Sequence, residues 1–435
     1  MGGQGKPARI AILLVLALLA AGCDRPAYRG GSYGQVVPNH PSPEENLRLR
    51  EIEWDQIPVG ALMPAWEKTY DQVIRASLAE DGATVAANVS LTVGRTTGLG
   101  YELFDRDGKS LSRVVFTGDY YRASSVWLLG DGRWVAATMT NFDQRGSFAV
   151  YDPQGKRVLT RQVTGWAVGA GSREATRVAM LSQPLSQNQA RLHLFETAGW
   201  SELASFPVRP DAVVQFAPGG DLLVANADRV LLVDGRGSVV AEYPLAAALR
   251  REVAVSPSGN LVAVTTGQTD SRVYLFDRAG ELLLEELLFF GGPNRLVFSE
   301  DERWLAVYDV GERGGIYLFE VTTGQLLWRS MFRTPEGTSI SVRKLALDPV
   351  AGRVAAEVVV RAADATVEEH HVYLATVSGE PQARFPLGEN VDVHLDGAAR
   401  VAVVTTNSIA DWSNRVRNYL RWYDLFPLPR ENAGW

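Results

Sequence analysis

The sequence predicts an all-β fold: an eight-bladed ring of four-stranded antiparallel sheets, with seven blades as the alternative count. Three observations carry this reading. A unit of about 45 residues recurs along most of the chain, a spacing typical of ring and solenoid repeats. Within each unit, short apolar runs alternate with turns built on Asp, Ser, Pro and Gly, the pattern of an antiparallel meander. The runs are rich in Val, Leu, Tyr and Phe, which suit a pleated surface buried against neighbouring sheets. One isolated sheet cannot bury both faces, whereas a ring of sheets can.

The chain starts with a different signal. Lys6 and Arg9 precede twelve unbroken apolar residues, 10–21, and small residues lead up to Cys23. That is the layout of a secretory leader. Twelve helical residues at about 1.5 Å each fall short of a hydrocarbon core of ~30 Å. Cys23 is the only cysteine in 435 residues. The stretch Leu19-Ala20-Ala21-Gly22-Cys23 resembles a bacterial lipoprotein signal, with Ala20 standing where that family prefers leucine. The resemblance implies cleavage after residue 22 and a lipid on the Cys23 thiol. The alternative is ordinary secretory cleavage that leaves a stray thiol. A single cysteine in a secreted chain calls for a reason, and lipid attachment supplies one. Several acyl chains at about 0.8 kcal/mol per buried methylene make such anchoring stable. Asp24 resembles the inner-membrane retention signal of enteric lipoproteins, so the expected place is the periplasm-facing cell envelope, leaning to the inner membrane.

Residues 23–45 are rich in Pro, Gly, Ser and Asn and read as a flexible tether reaching about 25 Å, with His40 solvated within it. Residues 46–435 read as one ring domain. The chain has 43 basic and 50 acidic side chains without basic runs, and losing the leader makes it more acidic, which argues against a nucleic-acid partner. With its one cysteine lipidated no disulfide can form, so stability must come from apolar burial.

The clearest repeat is EVAVSPSGNLVAVTTGQTDSRVYLFDRAGELLLEE, residues 252–286. Val253 and Val255 alternate, Ser256-Pro257-Ser258-Gly259 turns, and residues 261–264 make a buried run. Val273, Leu275 and Phe276 mark a third run, Asp277 to Gly280 turn again, and Leu282 opens a fourth. Related second-strand elements begin at Asp81, Asp131, Arg173, Gly219, Asp301, Ala351 and Gly397. Third-strand elements with their turns end at Gly108, Gly155, Gly199, Gly237, Gly324 and Gly379, and the last copy, residues 420–426, lacks the glycine. The Asp side chain caps such a turn, and Gly accepts the positive φ that a tight hairpin needs.

This rhythm resembles the β-propeller superfamily, with degenerate WD-repeat-like blades that lack the Gly-His and Trp-Asp dipeptides. One copy, FEVTTGQLLW (residues 319–328), resembles the blades of pyrroloquinoline-quinone-type propellers, a group that includes an eight-bladed envelope lipoprotein. The last copy lacks an outermost strand, and NLRLREIEW (residues 46–54) is expected to supply it.

The sequence offers no catalytic or metal constellation, and no cofactor is expected. Glu368-Glu369-His370-His371 falls between the second and third strands of the seventh copy and reads as a solvated loop. Adjacent residues in an extended chain point to opposite faces, so His370 and His371 cannot share one ion without a kink. His193 reads as a packing residue, His394 as a first-strand residue facing the channel, and Trp134 and Trp304 as equivalent core positions. Connections between second and third strands and between blades vary in length (94–98, 183–189, 361–368, 407–415, and 332–342 as the longest between blades), whereas the other turns are uniformly short. Variable loops on a rigid scaffold carry function, and Arg95, Arg333, Arg361 and Arg415 lie in or beside them. The expected function is a lipid-anchored, non-catalytic scaffold binding another envelope protein. The alternative is a propeller enzyme of hydrolase or lactonase type with a site at the channel mouth.

Cys23→Ser is expected to give a protein without lipid, because serine oxygen does not accept the thioether. Mass spectrometry of the membrane fraction checks this, and a native protein bearing no acyl group would end the lipoprotein reading.

Overall fold

Eight sheets follow one another along the chain, with strands hydrogen-bonded in sequence order except for two N-terminal strands added at the outer edges of the sixth and eighth. The computed structural model describes residues 49–425 except 71–72, 80, 117–122, 131, 141–144, 165, 184–188, 211, 227–228, 246–249, 268–270, 289–293, 312–313, 335, 363–367, 390, 399 and 407–417. Cys23, Asp24 and the tether lie outside the described residues. Blades 1 to 7 occupy residues 73–115, 123–164, 166–208, 213–244, 250–287, 294–333 and 338–389. Blade 8 takes three strands from the end of the chain, Val391–Leu395, Val401–Thr406 and Asn418–Asp424, and a fourth from the beginning, Trp66–Tyr70.

The first strand of every blade contacts the first strands of both neighbouring blades, including blade 8 with blade 1. First strands therefore form the inner wall, and the ring is closed. Buried apolar side chains sit in eight clusters, each between one blade and the next. The hydrophobic core of this protein is thus eight radial wedges, as expected of sheets apolar on both faces.

The expected turn chemistry is present. Asp105 Oδ1 accepts from the backbone N–H of Asp107 at 3.1 Å and of Lys109 at 2.8 Å. Asp152 and Asp234 make the same pair of bonds in blades 2 and 4. Gly108 in the first of these turns has φ +75°, and a Cβ there would sit 2.8 Å from Trp66 Cγ, so both backbone and space demand glycine. Three turns put a side chain in the left-handed region instead: Ala175 (φ 57°), Trp200 (φ 54°) and Glu302 (φ 60°). The second case corrects the sequence pattern by one residue, since the positive φ falls on Trp200 and not on Gly199. Each such residue costs about 1–2 kcal/mol.

Third and fourth strands slip by one residue at a recurring place, for example Leu103/Phe104, Leu275/Phe276 and Leu318/Phe319. Such bulges increase local twist, which splays the outer strand away from the axis.

Ring closure differs from the sequence expectation. Of the segment 46–54, the described residues 49–54 do not complete blade 8. Leu49–Glu53 instead runs parallel to the outermost strand of blade 6, Gln325–Arg333, as a fifth strand. The chain then passes blade 7, where Val59 bridges Arg384, and reaches blade 8 as Trp66–Tyr70, antiparallel to Asn418–Asp424. Residues 49–70 therefore form a strap around the rim of three blades. WEKTY closes the ring because its alternation places Trp66, Lys68 and Tyr70 on one, inward side, each half-buried. Trp66 stacks on Trp422 with centroids 5.6 Å apart, and its Nε1 donates to Arg106 O at 2.8 Å. Tyr70 donates to the buried Glu102 of blade 1 at 3.0 Å, and Arg113 holds the other oxygen of that carboxylate at 2.6 Å. Burial and the Glu102 charge push the Tyr70 hydroxyl pKa far up.

Trp66→Ala is expected to destabilise the whole ring by about 3 kcal/mol, the low end for a tryptophan that is half-buried. Urea unfolding followed by circular dichroism measures it.

Candidate functional site

A meander places first-to-second and third-to-fourth turns on one face of the ring and all other connections on the opposite face. The first class is uniform: each spans four or five residues, as from Val255 to Leu261 or from Asp277 to Leu282. The second class ranges from one residue, between Thr164 and Trp166 and between Glu389 and Val391, to eleven, between Thr406 and Asn418. One expectation is corrected here. Residues 332–342 are not a long loop, because the strands Gln325–Arg333 and Thr338–Asp348 consume all but four of them.

In blades 1 and 7 the variation takes the form of long strands. Thr84–Val93 and Thr96–Asp105 are ten residues each, and Arg353–Ala362 is also ten, against four to seven for second strands in the other described blades. Their far ends are exposed, at 92–97 and 361–362. Two hairpins thus stand above the variable face on either side of blade 8, whose long connection 407–417 lies outside the described residues. Arg95 is exposed at the tip of the blade 1 hairpin. Arg361 lies near the end of the blade 7 hairpin and pairs with Glu368, which Arg343 also reaches at 3.2 Å. Arg415 falls in the undescribed connection. Arg333 ends the outer strand of blade 6 on the same face, but it is paired with Glu51 of the strap and lies 3.8 Å from Glu53.

Beneath the raised sector, the inner strands carry charges among apolar neighbours. Lys344 Nζ lies 3.2 Å from Asp392 Oδ1 and 3.9 Å from Glu357 Oε2, and it also donates to the Val393 carbonyl. Asp392 Oδ2 lies 3.1 Å from His394 Nε2 and 3.9 Å from Arg75 Nε. Glu357, 2 % exposed, meets His370 Nδ1 at 2.9 Å. The network links blades 7, 8 and 1 around the channel wall. Burial works to raise Asp392, but His394 and Lys344 overcome it and hold the carboxyl well below the usual range. Burial, aided by Lys344 and opposed by Asp392, pushes His394 below the ordinary histidine value. Sequence reading missed this network. Its signal is a charge inside an otherwise apolar first strand, as in SISVRKLALD, VDVHL and VIRASL.

The histidines need one correction. His370 and His371 are not in a solvated loop; they lie in the strand Glu369–Thr376 and are buried. They do point opposite ways, His370 to Glu357 and His371 to Trp54, with ring centroids 5.2 Å apart in the latter pair. Among the described residues, no three His, Cys, Asp or Glu side chains converge as metal ligands. His193 stacks on Phe195 and lies 3.1 Å from Glu202. Trp134 and Trp304 each open the second strand of their blade, as equivalent positions should.

The fold is that of an eight-bladed β-propeller with WD40-like blades. The C-terminal WD40 domain of Sif2 superposes with a TM-score of 0.58 at 9% identity, covering 85% of this chain and 99% of that one. The Dos1 propeller gives 0.57 at 12% identity over 83% and 95%. Sqt1 of Saccharomyces cerevisiae gives 0.54 at 12% identity over 83% and 99%. At such identities the likeness concerns the fold alone. No protein-family model and no curated protein matches the chain in sequence.

Lys344→Met is expected to cost about 3 kcal/mol, because it leaves the buried Glu357 and the half-buried Asp392 without their lysine. A carboxylate held below its unfolded value adds stability above about pH 4 that is lost as pH falls. The variant should therefore also show a flatter decline of stability with acid, measured by urea unfolding at several pH values.

Proposed function

We propose that this chain is a lipid-anchored propeller of the bacterial cell envelope that binds another protein through the raised sector of blades 7, 8 and 1, without chemistry of its own. The observation that carries the reading is the asymmetry between the two faces. One has near-minimal turns throughout, while the other raises two long hairpins around an eleven-residue connection. The WD40-like architecture fits such a role, being a rigid scaffold for loops. The charged groups below the sector are spent on one another, Lys344 on Asp392 and Glu357, His370 on Glu357, and His394 on Asp392. They read as structural ties, of which Lys344–Asp392 clasps blade 7 to blade 8. The leader, Cys23 and the tether support membrane attachment facing the periplasm.

Arginine suits a protein interface because its planar head donates several hydrogen bonds at once. Arg95→Ala, Arg361→Ala and Arg415→Ala combined are expected to weaken crosslinking to envelope partners in the native host several-fold. The fold should survive, since exposed substitutions cost under about 0.5 kcal/mol each. Adding Arg333→Ala should matter less, because Glu51 and Glu53 already occupy that side chain. An unchanged crosslinking pattern in the triple variant, with loss on altering the short turns at Asp234 or Asp277, would place the binding face on the other side.

A further inference from the structure

Among the described residues, several buried polar atoms without hydrogen-bond partners lie beneath the strap. Both ring nitrogens of His371, Nε of Arg384 and Oγ of Ser330 are in this state. Ser330 lies opposite Arg50 in the pairing of the strap with blade 6. His371 and Arg384 face Trp54, which is 3 % exposed; the Arg384 guanidinium carbon lies 5.0 Å from the centre of the indole. Leaving a buried donor or acceptor unmade costs about 1–3 kcal/mol each. Against this, the strap gains from burying Ile52, Trp54 and Ile57 against the cluster between blades 6 and 7, and from aromatic contacts of Trp54 with Phe332 and Tyr373. Its ion pairs, Arg50–Glu380 and Arg333 with Glu51 and Glu53, are exposed and add little. The segment is poised, held by apolar contacts and opposed by dry polar atoms.

We propose that residues 49–60 act as a proton-sensitive latch, seated between blades 6 and 7 at neutral pH and released when His371 is protonated. His371 is the titratable group enclosed under Trp54. The charged or titratable groups that act on it are Glu369 on its own strand, whose Oε2 lies 3.4 Å from Nε2 without hydrogen-bond alignment, Arg384 on the next strand, and His370. From blade 6 and the strap it meets aromatic rings, those of Phe332 through Trp54 and of Trp54 itself. Burial is the largest influence and lowers its pKa. Arg384 and His370 act the same way, and Glu369 opposes them without winning. The sign follows. A histidine that titrates lower when covered takes up its proton more readily when uncovered, so acid favours the open strap. The seated state keeps its full stability above the ordinary value of about 6.5 and loses it as pH falls below. Opening uncovers the outer edge of blade 6, hydrates Ser330, His371 and Arg384, and separates Arg333 from Glu51 and Glu53. Closure of the ring by Trp66–Tyr70 is untouched.

Hydrogen exchange of the full-length protein tests this, with protection over residues 49–60 corrected for intrinsic exchange at pH 7.5 and 5.5. Protection should fall by up to about tenfold at the lower pH, one unit below the ordinary value. Strands of blade 3 serve as the internal reference and should hold. His371→Phe, which keeps the ring packing and removes the proton, should abolish the fall; His371→Gln serves the same purpose if the phenylalanine variant fails to fold. Protection of 49–60 that is independent of pH in the native chain would overturn the latch. So would an undiminished fall in a His371 variant.

Discussion

The structure depends on one constraint: a ring of sheets has no stable state with an open seam. Seven blades are complete in sequence order, but the eighth ends with three strands and borrows its fourth from residues 66–70. That pairing joins the two ends of the chain and turns eight local meanders into one object. Its chemistry is concentrated. Trp66 stacks on Trp422, Glu67 receives Arg421 at 2.6 Å, Lys68 lies over Phe104, and Tyr70 reaches across to Glu102 of blade 1. An unclosed blade 8 would present an unpaired strand edge, the liability that closure removes.

The strap extends this logic outward. Having reached the rim at blade 6, the chain pairs there, skirts blade 7 and closes blade 8, so one segment of 22 residues (49–70) covers three blade edges. The inner wall is stitched in the same sector, by the network from Glu357 through Lys344 and Asp392 to Arg75. Blades 7 and 8 are therefore reinforced both inside and outside, and blade 1 joins them through the inner network. The long hairpins rise from that reinforced sector. A projecting element on a rigid base loses little conformational entropy on binding, which is the advantage a recognition surface needs.

Much of this was legible in the residues. The repeat unit, the blade count, the Asp-capped turns and the faces on which connections fall all follow from local chemistry that recurs eight times, and repetition averages out ambiguity. What was not legible occurs once. LREIE and WEKTY are five-residue segments without a flanking turn signature, so only pairing partners distant in sequence decide which blade each joins. The loop reading of Glu368 to His371 failed for a related reason. Two acids and two histidines look solvated, yet the strand Arg353–Ala362 runs long enough to pair with Glu369 and His370 and draw the histidines under cover. Residues 332–342 looked like a loop because Pro335, Gly337 and four hydroxyl residues interrupt them, although strands enter from both sides. The inner ion network escaped because its joining members, Arg75, Lys344 and Asp392, lie on the first strands of three different blades, far apart in sequence.

The central claim, that residues 66–70 close the ring, is tested most directly by comparing the thermal unfolding of two truncations. One chain begins at residue 64 and lacks the blade 6 and blade 7 contacts of the strap. The other begins at residue 72 and also lacks the closing strand. The first is expected to melt in a single cooperative transition, somewhat below the full chain. The second is expected to lose cooperativity or aggregate, with the exposed edge at Asn418–Asp424 exchanging its amides rapidly. If the chain beginning at residue 72 melts in one transition at the same temperature as the chain beginning at residue 64, the ring does not depend on that strand and the account is wrong.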